Sequence, residues 1–321
     1  MTMRRYVLQR LLTVIPTVVG ATFLLFVLLR LLPGDVALMI LVGPTGEGSV
    51  TPDALASLRH TLGTDKPIVE QYLAWMWAIM RLDLGRSLLS DQPVVDTLAR
   101  RFPVTFELAT LSIIGTTLIG VPLGVVMALR RDTWVDYVLR VLTIGGQAVP
   151  TFFAATVVIV LLVRWFNWLP PLEFASLFSD PMSNLVQFMW PVTIMAFSGA
   201  VVVARLTRST MLDVLQQDYV TTARAKGLRE RWITLRHALK NASLPTFAFL
   251  GVLFVGELNG AVVLENIFSL PGVGSGLVNA VSTRDYPMIE GTLLVIILIV
   301  LFANLAIDVM YRLLDPRIRF G

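Results

Sequence analysis

Cysteine is absent from the chain, which excludes disulfides, thiol catalysis and cysteine-based metal sites. Histidine is nearly absent: His60 and His237 stand far apart and form no ligand cluster. Charge is scarce, at 15% of residues, against about a quarter in soluble domains. The chain has no HExxH, no GxxxxGK[ST] phosphate loop and no Ser–His–Asp constellation. The glycine-rich run Gly272–Gly276 lacks the lysine that a phosphate loop needs. No ATP-binding or catalytic role is therefore expected of this chain, and no internal repeat or low-complexity tract stands out.

What is abundant is apolar. Of 321 residues, 55% are hydrophobic, and the mean hydropathy is +0.74. Long apolar runs place the chain in the membrane class. The net charge of +4 and the pI near 9.7 do not point to nucleic acid. The basic residues sit beside apolar spans, where anchoring on the cytoplasmic side explains them. A charged start before an apolar run also fits a signal peptide. The run from Val7 to Leu32 is too long for that, and no A-x-A-like site follows, so an uncleaved first span is expected.

Six spans are predicted. The first covers about Leu8–Leu29, after Arg4, Arg5 and Arg10. A long polar segment follows to about Arg101, with a helix capped by Thr51 or Asp53 and an amphipathic helix bearing Ile68, Tyr72, Trp75 and Ile79. The second span is about Val104–Leu129. The third is about Tyr137–Val163, with Gly145, Gly146 and Pro150 allowing close approach and a kink. The fourth is about Leu185–Val203, extended to Gln217. The fifth is about Phe247–Ile267 and the sixth about Met288–Leu313. The arginine distribution puts both termini in the cytoplasm and the 33–101 segment outside. The expected division is a first helix (1–32), an extracytoplasmic loop subdomain (33–101), a five-helix core (102–315) and a tail (316–321).

Between spans four and five lies a charged island, Gln217–Pro245, inside the cytoplasmic segment 213–245. Asp218 is read as the cap of a short helix Tyr219–Lys226. Arg224 and Lys226 suit its last turn, and Gly227 suits a positive-φ stop. A second helix with Leu228, Trp232, Leu235 and Leu239 on one side should follow. Ala223 and Gly227 are read as a small flat patch open to another backbone. Ordinary helix termination explains Gly227 alone, and the positive-inside rule alone explains any single basic residue.

The pattern Tyr219, Ala223, Gly227, Ile233, Ala238 and Leu244–Pro245 resembles the EAA loop of bacterial ABC importer permeases. Asp218–Leu228 (DYVTTARAKGL) is similar to the dipeptide/oligopeptide branch, in its first-permease (B-type) subunit. Agreement extends along nearly the whole chain: LPGD (32–35), LGTDKPIVEQYLAW (62–75), DLGRSL (83–88), RFPVTFELA (101–109) and GAVVLENIFSLPGVGSGLVNAVSTRDYPMIEG (260–291). Val36 stands where the family more often has Pro, and Thr222 where it has Glu. The resemblance implies an all-α integral membrane fold of the type I importer permease class in the bacterial inner membrane. It implies that Asp218, Tyr219, Ala223, Arg224, Ala225, Lys226, Gly227 and Leu228 dock an ATPase. The implied partners are a homologous second permease subunit, two ATP-binding subunits that carry ATP and Mg, an extracytoplasmic solute-binding protein and membrane lipid. The implied cargo is a di- or oligopeptide, with glutathione, nickel chelates, opines and sugars as alternatives.

Polar groups in the spans are expensive and default to function. Glu257 and Asn259 are read as lining a path, with Gln147 and Pro150 as further candidates. Gln147 and Asn304 also fit structural hydrogen bonds between helices. Glu265 is expected near the outer surface as a solvated or capping carboxylate. An ion-coupled secondary transporter would need more buried carboxylates than Glu257 and Asp308 supply.

Overall fold

The computed structural model describes residues 3–31, 36–42, 50–171 and 173–314. The LPGD stretch, the tail from 315 and the side chains of Arg4, Arg5, Arg10 and Asp308 lie outside the described part. Among the described residues the secondary structure is helical, apart from an isolated bridge between Arg86 and Pro93. Five helical stretches of the described residues are long and apolar enough to cross a membrane: Leu12–Leu31, Val94–Leu129, Pro181–Leu215, Glu230–Ile267 and Tyr286–Ile307. A sixth is available if the bent pair Trp134–Ala148 and Thr151–Phe166 counts as one.

That pair is where expectation and structure differ most. A kinked third span was predicted; instead the chain turns by 94° between the two helices. Pro150 has no N–H to donate and forces its predecessor out of the helical region. Val149 accordingly sits at φ −88°, ψ 115°, and Pro150 caps a new helix.

The chain forms two compact units. The first comprises residues 1–101 and 276–301. It contains α1 (Met3–Leu31), α2 (Val36–Val42), α3 (Pro52–Leu62) and α4 (Ile68–Met80). Thr51 caps α3 by accepting from Ala54 N–H, and Gly63 ends it at φ +67°. The inward face of α4 meets α1. Tyr72 stacks edge-on to Phe26, and its hydroxyl lies 3.1 Å from Thr22 Oγ1. Trp75 packs on Phe26, whereas Ile68 and Trp77 of the predicted stripe and its neighbour point outward. Arg30 at the end of α1 pairs with Glu290 at 2.9 Å.

The second unit comprises residues 102–275 and 302–321. Its helices are α5 (Val94–Leu129, from 102 on), α6 (Trp134–Ala148), α7 (Thr151–Phe166), α8 (Pro181–Leu215), α9 (Asp218–Ala225), α10 (Glu230–Trp232) and α11 (Leu239–Ile267). The short helix α12 (Val273–Thr283) begins here, and α13 (Tyr286–Leu314) ends here. Asp180 caps α8 by accepting from Ser183, and these hydrogen bonds hold its carboxyl below its ordinary value. The glycine-rich run 272–276 opens α12.

Helices α5 and α8 approach through small residues. A Cβ at Gly120 would lie 2.9 Å from the Ala200 carbonyl oxygen, and one at Gly124 would lie 2.5 Å from that of Ala204. Thr116 Oγ1 donates to the Ala196 carbonyl at 3.2 Å across the same seam. Lipid gives apolar side chains no reason to leave it for one another, so close backbone packing and interhelical hydrogen bonds supply the association. Above this seam a core forms from Leu108, Phe188, Met195, Leu264 and Phe268.

Gly124→Leu therefore forces α5 and α8 apart, at a cost of about 1–3 kcal/mol. The thermal midpoint of the purified protein in detergent should fall. An unchanged midpoint would show that the seam yields freely.

Candidate functional site

The charged island folds as a compact unit on the ends of α8 and α11. Gln217 occupies the N-cap of α9 without a side-chain cap bond, and Asp218 is the first helical residue. This corrects the expectation that Asp218 caps the helix. Its carboxylate instead sits in the first turn, where the helix dipole favours it. Gly227 stands at φ +77°, with its N–H bonded to the Arg224 carbonyl and Leu228 N–H bonded to that of Ala223. These paired bonds form a Schellman stop, and the positive φ explains the glycine.

Two faces of α9 differ sharply. Val220 and Ala223 are buried against Ile233 and Leu215. Asp218, Tyr219, Thr221, Thr222, Arg224, Ala225, Lys226, Gly227 and Leu228 are exposed. The expected Ala223–Gly227 patch is therefore not formed: Ala223 is 8% exposed and faces its own chain. Arg224 pairs with Glu230 at 2.8 Å, within the island. Tyr219 Oη accepts from Asn241 Nδ2 at 2.8 Å, which ties α9 to the base of α11.

The second island helix also departs from expectation. Residues Ile233–Ala238 wind as a π-helix between α10 and α11. Wider winding rotates the register, so the buried side is Ile233, Thr234, Ala238 and Ala242. Leu228, Trp232 and Leu235, expected along one side of an amphipathic helix, are 45%, 54% and 64% exposed. Single π turns recur at functional positions because the extra residue strains the helix.

The path candidates fall on two elements. Gln147 near the end of α6 and Pro150 at the break are both exposed. On α11, Val252, Gly256, Asn259, Gly260 and Val263 form one exposed stripe, and Cβ atoms built at Gly256 and Gly260 meet nothing. Asn259 spends its amide on the Val255 carbonyl. Glu257 lies half-buried beside this stripe, with no hydrogen-bond or ion-pair partner among the described residues. The structure does not join Gln147 and Glu257 into one cluster within this chain.

Two buried carboxylates anchor the second unit, of which the sequence reading named Glu265 and missed Asp136. Asp136 on α6 is fully buried and receives Arg208 Nε at 2.9 Å and Nη2 at 2.8 Å. Arg140, one turn on, lies 3.3 Å away, and the Asp132 N–H also donates to the same carboxylate. An acid in the first turn of a helix flanked by arginines was the available signal. Glu265, expected near the outer surface as a solvated or capping carboxylate, has no exposed area and takes the capping role. It accepts from Thr105 Oγ1 at 2.6 Å and from Ser275 N–H at 2.9 Å, while Thr105 Oγ1 accepts from Val273 N–H. The carboxylate thus satisfies the free N–H groups that open α12. Gly272 passes directly over it, where a Cβ would overlap the carboxyl group.

With this geometry in view, relatives settle the family. Residues 120–320 match the profile of the binding-protein-dependent transport system inner membrane component, and residues 3–109 match its N-terminal companion. The chain belongs to this family of ABC importer permeases. It is 35% identical over 340 residues to the dipeptide transport system permease protein DppB of Escherichia coli (strain K12), covering 99% of both chains. It is 36% identical over 318 residues to the glutathione transport system permease protein GsiC of Salmonella choleraesuis, covering 99% of this chain and 100% of that one. A Brucella abortus (strain 2308) protein provisionally named a peptide transport system permease is 37% identical, with 99% and 100% covered.

The fold agrees with solved importers. The MetNI methionine ABC transporter in an inward-facing form matches with a TM-score of 0.58 at 14% identity, over 69% of this chain and 97% of that one. The permease is therefore a multi-pass inner-membrane protein. As a transport component, it works with an ATPase and a substrate-binding protein.

Glu265→Ala leaves the Thr105 hydroxyl and the Ser275 N–H without their acceptor, at a cost of about 2 kcal/mol. Amide exchange over residues 273–276 should quicken by roughly thirtyfold. Exchange at the wild-type rate would mean that Glu265 does not hold α12.

Proposed function

We propose that the permease forms half of the translocation pathway for di- or oligopeptides and is driven through the outward face of α9. The carrying observation is that face: an α-helix closed by a Schellman stop, with one side packed on its own chain and the other uncovered. It sits between α8 and α11, so a push on it reaches two spans at once. Identity to peptide permeases over nearly the whole chain supports the peptide cargo, and the similarity to a glutathione permease keeps a tripeptide within the same reading.

In this reading a homologous second permease completes the pathway, two ATP-binding subunits dock beneath, and a solute-binding protein delivers cargo from outside. Both termini and the 213–245 segment are cytoplasmic, the 33–101 segment is extracytoplasmic, and residues 102–315 form the transporting core. The docking contacts are Asp218, Tyr219, Arg224, Ala225, Lys226, Gly227 and Leu228. Ala223 supports them from behind by packing on Ile233. ATP and Mg are bound by the partner ATPases. The exposed α11 stripe around Gly256, Asn259 and Gly260 faces the pathway, with Glu257 at its margin. Gln147 and Pro150 contribute at the α6–α7 break.

Ala225 is the cleanest probe of docking, because its side chain is exposed and substitution there leaves the Gly227 turn intact. Ala225→Glu should abolish co-purification of the ATPase subunits and reduce peptide uptake at least tenfold, with membrane insertion unchanged. Normal co-purification and normal uptake would refute docking on this face.

Glu257→Ala should shift the ratio of uptake rates among cationic, neutral and anionic dipeptides, the cationic ones losing most. Wild-type ratios across all three classes would place Glu257 off the path.

A further inference from the structure

The second unit contains a cavity that transport, as described, does not use. It measures about 290 Å³ and lies between α5 and α11, with the buried Thr207 of α8 at its base. Thr117 and Val121 form one wall, and Ser243, Thr246 and Leu250 form the other. The hydroxyls are spent within the chain. Thr117 donates to the Ile113 carbonyl at 2.8 Å and Ser243 to that of Lys240 at 2.9 Å. Thr246 Oγ1 lies 3.5 Å from Thr207 Oγ1 and 3.5 Å from the Ala242 carbonyl. The walls therefore act as apolar surface, but the mouth does not. Lys240 and Phe247 both line the cavity and both are exposed. Seven residues separate them, so they stand on one side of α11, two turns or about 10 Å apart. The mouth is thus cationic at one end and aromatic at the other.

We infer that this cavity holds an anionic phospholipid, with its phosphate on Lys240 and an acyl chain between α5 and α11. Charge selects an anion. The Lys240 ammonium has no hydrogen-bond or ion-pair partner among the described residues. Arg236, exposed four residues earlier and stacked on Trp232, adds charge of the same sign. No acid stands between Glu230 and Glu257, and Glu230 is engaged by Arg224 at 2.8 Å. Asp132 and Asp136 are paired with Arg131 and Arg208. Asp213, six residues past Thr207, lies about 120° round α8 from it. Asp218 belongs to α9, which meets α11 at Asn241, about 100° round from Lys240. Position selects a headgroup. Lys240 is the last charge on α11 before Glu257, and α11 belongs to a stretch long and apolar enough to cross a membrane. It therefore marks the polar boundary, where a phosphate and a basic side chain meet. Shape selects a lipid over a compact ion. Walls without free donors give water or phosphate nothing to bond, whereas an acyl chain gains by burial there. Basic pockets between spanning helices bind anionic headgroups through the same combination. Leu235 of the π-helix also lines the cavity, so the seated lipid touches the link between α9 and α11.

The transporter, purified with its partners and stripped of lipid, tests this by native mass spectrometry. Added phosphatidylglycerol should be retained in preference to zwitterionic phosphatidylethanolamine. Lys240→Gln should lower that retention about fivefold, and Lys240→Arg should keep it. Ser243→Trp leaves the charge in place but fills the cavity, and it should lower retention at least as far. A Phe247→Trp reporter, read against the wild-type background, should be quenched by phosphatidylglycerol brominated on its acyl chains. Adding Lys240→Gln to the reporter should weaken that quenching in parallel. Equal retention by wild type and Lys240→Gln, equal retention of the two lipids, or unchanged retention in Ser243→Trp overturns the proposal. Displacement of the bound lipid by excess inorganic phosphate reassigns the site to a free anion, and displacement by peptide reassigns it to cargo. Either displacement also overturns it.

Discussion

The contact between α5 and α8 is the constraint on which the second unit depends. Inside a bilayer, packed leucines gain little over lipid-facing leucines, so helices stay together only where backbones meet closely and polar groups bond across. Gly120 and Gly124 remove the side chains that would hold the carbonyls of Ala200 and Ala204 away. Thr116 adds a hydrogen bond to Ala196. With α8 held in this way, the buried Asp136–Arg208 pair sets α6 against it. A buried ion pair gives geometry more reliably than net stability, since desolvating both charges offsets much of their attraction.

From α8 the chain runs directly into α9, and the island returns it to α11 through a π-helix. Three links make this a mechanical unit. Val220 and Ala223 pack on Ile233, Tyr219 bonds Asn241, and Arg224 pairs with Glu230. The last is exposed and worth little by itself. The first two connect α9 to the start of the π-helix and to the first turn of α11 beyond it. In the proposed mechanism a displacement of α9 is therefore passed to α11, which carries Glu257 and the open glycines. The far end of α11 is fixed in turn by Glu265, whose carboxylate is held by Thr105 and by the first turn of α12.

Much of this was legible from residues alone. Thr51 and Gly227 each have a local role that spacing reveals, and the structure places them as a cap and a stop. Apolar runs located the membrane stretches, although α5 and α11 begin 10 and 8 residues before the expected second and fifth spans. What escaped depends on three-dimensional partners. Pro150 signalled an interruption, but the size of the turn follows from where α7 packs. Ala223 is small and could face either way; Ile233 decides that it faces inward. The π-helix shifted which residues of the second island helix are buried, and a period of 3.6 applied to Leu228, Trp232 and Leu235 could not anticipate it. The partners of Asp136 and Glu265, Arg208 and Thr105, lie 72 and 160 residues away, beyond the reach of local spacing.

The central claim is that the outward face of α9 receives the ATPase. Because the chain has no native cysteine, single thiols report on contact without background. Thr221→Cys on that face, with a bifunctional thiol reagent and a cysteine in the ATPase subunit, should give a permease–ATPase product whose yield changes on ATP binding. Phe178→Cys, 96% exposed in the turn before α8, should give none. Absence of the product from Thr221→Cys in an assembled, transporting complex, or an equal yield from Phe178→Cys, would contradict the account.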